Sequence, residues 1–203
     1  GDASGASSHK FSSGSFTEGR IAAKAALKYV LEHPEEPQVD MAAVKAMEEK
    51  ILAPLDRFEQ FKNASTDPDI NPNYLRPKMA MFRLQKIMDE YAGGVSTNFT
   101  CSKQSLEKAL ELLAMLKEDL ELLAAEDLHE LLRCWENVHR TWQAEVHVRT
   151  MLYREETRWP GYYFRSDCPT MNEDEWSVFV NSRWNPETGE WEMSKKPIHR
   201  IFV

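Results

Sequence analysis

Six leucines set the first constraint on this chain. Leu106, Leu110, Leu113, Leu116, Leu120 and Leu123 recur at spacings of three and four, the period of one face of an α-helix. Such a stripe must be buried against something. The sequence supplies a partner within a few residues. Asp127-Leu128-His129-Glu130 sets a capping side chain three residues ahead of a glutamate, and an apolar-periodic stretch follows to about Tyr153. So short a connection makes the two helices antiparallel neighbours. The leucine stripe then reads as core rather than as a free coiled-coil seam.

The flanking segments extend a helical pattern. Ser15-Phe16-Thr17-Glu18 has capping-box spacing, so Ser15 (or Ser13) is the expected cap of a first helix that Pro34 ends. Phe16, Ile21, Ala25 and Tyr29 share one face of it. Asp40 can cap a second helix to about Phe61, in which Pro54 predicts a kink or break near Leu52. Residues 63–72 read as loop. A third helix is expected over about 77–91, closed by Gly93-Gly94, and a fourth from about Ser102. The pattern changes after Trp159-Pro160-Gly161. Residues 176–180 and 191–193 are strand-like, and Asn185-Pro186-Glu187-Thr188-Gly189 between them has turn chemistry. The expected fold is mainly α: a bundle of four or five helices over about 40–153, with a C-terminal β-hairpin packed on one side. The expected regions are 1–34, 38–153 and 154–203.

Composition narrows the function. With 203 residues and a net charge of −8, an acidic globular chain is expected, with little support for nucleic-acid binding. No run of about 18 apolar residues could span a bilayer, and no basic-then-apolar leader opens the chain. Cys101, Cys134 and Cys168 are far apart and odd in number, which argues against both a disulfide framework and a zinc site. They read as reduced, buried small hydrophobes of a cytoplasmic protein. His129-Glu130-Leu131-Leu132-Arg133 lacks the second histidine of a zinc-protease helix. His139 and His147, eight apart, are either a ligand pair or polar packing.

The densest functional signal is the first twenty residues. Four of the eight glycines fall there, interleaved with serines. Small residues let a ligand approach the backbone, and a helix N-terminus offers free N–H groups and partial positive charge. Lys10 adds a full charge just upstream, and Asp2 can accept hydrogen bonds from sugar hydroxyls. A serine-rich tail ahead of a capped helix is the other reading of the same residues.

Gly1-Asp2 followed by Gly5-Ala6-Ser7-Ser8-His9-Lys10-Phe11-Ser12-Ser13-Gly14-Ser15-Phe16-Thr17-Glu18-Gly19-Arg20 resembles the last FAD-binding motif of the fumarate reductase/succinate dehydrogenase flavoprotein superfamily. The His-Lys-Phe-Ser-Ser-Gly-Ser form is similar to that of dissimilatory adenylylsulfate reductase alpha subunits. Residues 154–167, 176–180 and 185–191 resemble the C-terminal segment of the same subunits. The resemblance implies an FAD-dependent interconversion of adenylylsulfate with sulfite and AMP. It also implies that the chain is the C-terminal third of a longer polypeptide, since the GxGxxG of the pyrophosphate-binding unit is absent.

Matched residue by residue, Asp2 falls on the family's ribityl-binding acid. Phe11, Ser12 and Ser13 fall on the turn whose amides face the pyrimidine end of the flavin. Ser15 and Phe16 fall on the first helical residues below the ring, and His9 lies in the same cofactor-binding stretch. Lys10 stands where the wider family has an arginine facing the substrate. That departure counts against a fumarate reductase or aspartate oxidase relative, because a dicarboxylate favours the bidentate arginine fork. The partner implied is a ferredoxin-like iron–sulfur beta subunit with two 4Fe–4S clusters, whose thiolate ligands this chain does not supply. A helical interaction module without chemistry of its own is the alternative of a different class. Arg154, Arg158 and Arg165 beside Glu155 and Glu156, with Trp159, Tyr162 and Tyr163, are either a structural cluster of ion pairs and stacked rings that docks the helices onto the FAD domain or a surface for the electron-transfer partner.

Overall fold

The computed structural model describes residues 12–67, 70–158 and 163–198. Helices α1 (Ser12–Glu32), α2 (Met41–Phe61) and α3 (Pro77–Tyr91) are followed by a 3-10 turn (Val95–Thr97) and strand β1 (Thr100–Cys101). Helices α4 (Lys103–Leu120) and α5 (Leu128–Tyr153) come next, then β2 (Phe164–Arg165), α6 (Glu173–Trp176), β3 (Val178–Asn185) and β4 (Glu190–Pro197). The chain divides into two compact units, Gly1–Ala46 and Met47–Val203.

In the first unit α1 leaves Phe16, Ile21, Leu27, Tyr29 and Val30 exposed. It starts earlier than the S-x-x-E spacing implies, so Ser13, Ser15 and Glu18 lie inside the helix and neither serine is its cap. Ser12, Ser13 and Ser15 are all competent near a helix start, and spacing alone does not choose between them.

In the second unit the leucine stripe is the core. Leu106, Leu113 and Leu116 are wholly buried, Leu120 and Leu123 nearly so, and Leu110 packs on them from the edge. The facing stripe of α5 buries Leu131, Cys134, Ala144, Val148 and Met151. Local signals set the ends. Ser102 and Ser105 cap α4 reciprocally. Asp127 Oδ1 accepts from the Glu130 amide at 2.8 Å, while Glu130 reaches back to the Glu126 amide at 2.9 Å. Pro77 opens α3. Gly93, at φ +79°, reverses the chain after it. Gly94 then packs so closely on Asp89 that a Cβ there would collide with its backbone.

Three expectations need correction. Helix α2 runs through Pro54 without a break. Tertiary bonds fasten the helix on this stretch: the Ala125 amide donates to Pro54 O at 2.9 Å and Trp135 Nε1 to Ile51 O at 3.0 Å. Trp176 belongs to α6, not to a strand. Asn172 Oδ1 caps the Glu175 amide at 3.2 Å, and three acidic residues sit in that first turn, where the helix dipole favours them. Cys168 is only half-buried, although Cys101 and Cys134 are buried as expected.

The hairpin is present and longer than its sequence signal. β3 and β4 pair antiparallel from Val178↔Pro197 to Asn185↔Glu190. Asn185 Oδ1 accepts the Glu187 amide, and Gly189 takes φ +70°. Its base is fixed to the end of α5: Trp176 packs edge-on to Tyr153 at 5.6 Å, with Lys195 Nζ over its ring at 3.4 Å. The short parallel pair β1–β2, Thr100↔Phe164 and Cys101↔Arg165, has no counterpart in the sequence reading.

Candidate functional site

Of the expected flavin-binding residues, Ser12, Ser13, Ser15 and Phe16 fall at the start of α1. Asp2, His9, Lys10 and Phe11 lie outside the described residues. Ser12 and Ser13 are the first residues of α1 rather than a turn before it, and Ser15 and Phe16 follow within it. Ser12, Ser15 and Phe16 are exposed, and Gly14 is buried. Helix geometry leaves the first four amides of α1 without acceptors inside the helix, and they carry its partial positive charge. An acceptor edge on which negative charge gathers suits that end.

The second candidate, the arginine cluster, is an internal joint. Glu156 is completely buried and Glu155 is exposed. Arg154 pairs with Glu156 and also donates to Trp176 O at 3.0 Å and Val178 O at 2.9 Å. Arg158 donates to Glu156 at 2.7 Å and to Glu173 at 2.8 Å. Burial alone would raise the Glu156 carboxyl. Bonds from Arg158, the Asn172 amide and Arg154 more than reverse this and hold it below the ordinary glutamate range.

Arg165 is 1% exposed and grips Asp167 with two bonds of 2.9 and 2.6 Å. Its remaining nitrogen donates to Met151 O at 2.6 Å and Arg154 O at 3.1 Å, at the carbonyl end of α5. Asp167 accepts the Lys103 amide at 3.1 Å, at the opposite end of α4. The pair therefore sets a cation where α5 ends and an anion where α4 begins, the signs both dipoles favour. It also shows the two helices running antiparallel. The bond to Arg165 holds the Asp167 carboxyl down at about 2. Burial pushes the Tyr163 phenol up to about 12, and its hydroxyl donates to Met151 O at 3.1 Å.

Arg154, Glu156, Arg158 and Arg165 thus form ion pairs and bonds within this unit, joining the end of α5 to the segment before the hairpin. Trp159 and Tyr162 lie outside the described residues. Sequence reasoning missed Asp167 and Thr157. Thr157 Oγ1 accepts from the Arg165 amide and donates to Cys168 O, both at 2.9 Å. Arg165 and Asp167 meet because the chain turns straight after β2, closed by the Cys168 amide on Arg165 O at 3.1 Å, and strand or helix periodicity does not mark such a pair. His139 and His147 do not converge on a ligand set; among the described residues no group of three or more His, Cys, Asp or Glu could hold a metal ion. No helix among them is long and apolar enough to cross a membrane.

Residues 81–202 match the family model described as fumarate reductase flavoprotein C-term. The chain belongs to that family. The match takes in the leucine-rich pair, the buried arginine joint and the hairpin. The alpha subunit of adenylylsulfate reductase from Megalodesulfovibrio gigas is 44% identical over 201 residues, which are 99% of this chain and 30% of that protein. The adenylylsulfate reductase structure from Archaeoglobus fulgidus is 56% identical and superposes with a TM-score of 0.90, over 95% of this chain and 30% of its own. A structure of adenosine-5-phosphosulfate reductase in complex with sulfite, as a covalent adduct, matches with the same values. The chain spans about a third of the length of these relatives.

Proposed function

We propose that the chain serves as the C-terminal region of the flavoprotein subunit of an adenylylsulfate reductase, which interconverts adenylylsulfate with sulfite and AMP by two-electron transfer. The likeness of nearly the whole chain to a reductase that holds sulfite carries this reading. FAD, when bound, supplies the two-electron chemistry. The start of α1 fits such a group: its first amides are free of intrahelical acceptors, and Gly14 is buried without a side chain. In this reading the Ser12 and Ser13 amides hold the pyrimidine edge and stabilise the charge it gains on reduction. Ser15 and Phe16 lie beneath the ring, and Asp2 accepts from the ribityl hydroxyls. His9 and Phe11 shape the stretch that reaches it.

Lys10 sits on the substrate side. A compact ammonium suits a sulfur oxyanion, where a dicarboxylate would call for a guanidinium fork. Electrons pass to an iron–sulfur beta subunit with two 4Fe–4S clusters, in a cytoplasmic heterodimer. Regions 1–34, 38–153 and 154–203 act as the flavin loop and helix, the helical domain and the aromatic-rich tail whose hairpin packs on the helices.

The test uses the full-length polypeptide. With a reduced dye as electron donor it is expected to release sulfite and AMP from adenylylsulfate; reduction of fumarate instead would overturn the reading. Lys10→Met should lower kcat about 10²-fold and weaken sulfite binding while FAD stays bound. Values within error of the parent would remove Lys10 from the site and leave the amide contacts standing.

A further inference from the structure

A trough of about 320 Å³ opens where α2, the end of α4 and the middle of α5 meet. Helical spacing aligns its walls. Lys50, Pro54 and Arg57 stand a turn apart on α2, and Trp135, His139 and Trp142 a turn apart on α5. Leu120, Leu123 and Cys134 contribute apolar lining, and burial pushes the Cys134 thiol up to about 12, so it is uncharged. The α5 wall is aromatic. Trp135 is fixed by its bond to Ile51 O, the His139 ring lies 6.4 Å from each indole, and Trp142 is 58% exposed.

The charge around the trough runs against that of the chain. Lys50, Arg57 and Lys117 line it against the single carboxylate of Glu121, in a protein of net charge −8. Arg57 is held in place by its 2.6 Å bond to Leu123 O. Lys117 pairs with Glu145, which also binds Arg149 at 2.9 Å, so that trio keeps one positive charge in excess. The carbonyl end of α4 would repel an anion, but it is closed. Glu118, Asp119 and Leu120 carbonyls accept the amides of Glu121, Leu122 and Leu123.

We propose that this trough binds a purine mononucleotide, its ring against the Trp135–Trp142 wall and its phosphate on Lys50, Arg57 and Lys117. The volume is at the small end of ligand sites, about 300–1,000 Å³, which suits one nucleotide and not a dinucleotide. Aromatic faces bind any base, and cations bind phosphate, so neither half of the ligand suffices alone. Glu121 supplies an acceptor for a sugar hydroxyl or ring amine.

The test uses the full-length protein and GMP, which has this chemistry but is not a product of the reaction proposed above. Binding is followed by equilibrium dialysis. One GMP per chain is expected, with guanosine and inorganic phosphate each at least about tenfold weaker. Trp142→Ala and Lys50→Glu alter exposed side chains and should each weaken GMP about tenfold, with melting temperature and adenylylsulfate turnover unchanged. The proposal is overturned if GMP does not bind, if both variants bind it like the parent, or if phosphate alone binds as well. Binding of a hexaglutamate peptide without GMP would also overturn it and make the trough a polypeptide site.

Discussion

Replacing Arg165 with Met removes a charge while nearly preserving length. Arg165 is 1% exposed and makes two bonds to Asp167 and three to carbonyls at the end of α5. Breaking a buried pair by deleting one partner costs about 3–5 kcal/mol, because the other charge is left uncompensated. Asp167 is 31% exposed and regains some water, which places the cost near the lower end, about 3 kcal/mol. For a unit of roughly 150 residues, each kcal/mol moves the midpoint by about 2–4 °C. Arg165→Met should therefore melt about 6–12 °C below the parent, measured by circular dichroism at 222 nm. Arg165→Lys keeps the charge but loses the fork and should recover only part of this. In a double-mutant cycle, Arg165→Met and Asp167→Asn should couple by about 1 kcal/mol or more. A drop under about 2 °C, or strictly additive losses, would show that the pair is not holding the helix ends.

Asp167 also predicts a pH response. Its carboxyl lies at about 2 when folded against an ordinary 3.8. The pair thus adds stability that is full above about pH 4 and lost as pH falls through 2. Melting curves of Asp167→Asn should lose less stability across that interval than the parent. Cys101 and Cys134 are buried, their thiols pushed to about 11 and about 12. A thiol reagent at pH 8 should modify half-buried Cys168 first, and rapid labelling of all three would contradict the burial. Gly94→Ala forces a Cβ into the Asp89 backbone and should cost about 1–3 kcal/mol, read as a lower urea midpoint; an unchanged midpoint would show that the turn gives way freely.

What the sequence announced was local. Ser102 and Asp127 act through bonds spanning one turn, Pro77 through its fixed φ, and the leucine stripe records a single face, so the helices α3 to α5 were legible with their starts. What it concealed depends on residues far apart. Thr100 and Phe164 pair across 64 positions, and nothing in two-residue strands marks them. Pro54 predicted a kink or break because it lacks the N–H that would reach Lys50 O, whereas the bonds that fasten α2 there come from Trp135 and Ala125, far along the chain. The arginine cluster was visible as composition. That Glu156 is inside and Glu155 outside is a matter of packing, which periodicity cannot resolve in an irregular segment. For the candidate site, residue type and order singled out the stretch proposed to face the flavin, while capping-box spacing put the cap at Ser15 (or Ser13), inside a helix that already includes Ser12.

The Asp167 bond to the Lys103 amide has a bearing on the order of synthesis. Ser102 can serve the Ser105 amide as soon as the first turn of α4 emerges, but the amide of Lys103 must wait for a carboxylate made 64 residues later. During translation the α4–α5 pair can close its leucine core with one end still unfastened. The ribosome must then deliver β2 and Asp167 to complete the start of a helix it finished long before. A nascent chain halted before residue 163 should have a frayed beginning to α4 and an intact middle, so the start of that helix reports whether β2 has docked.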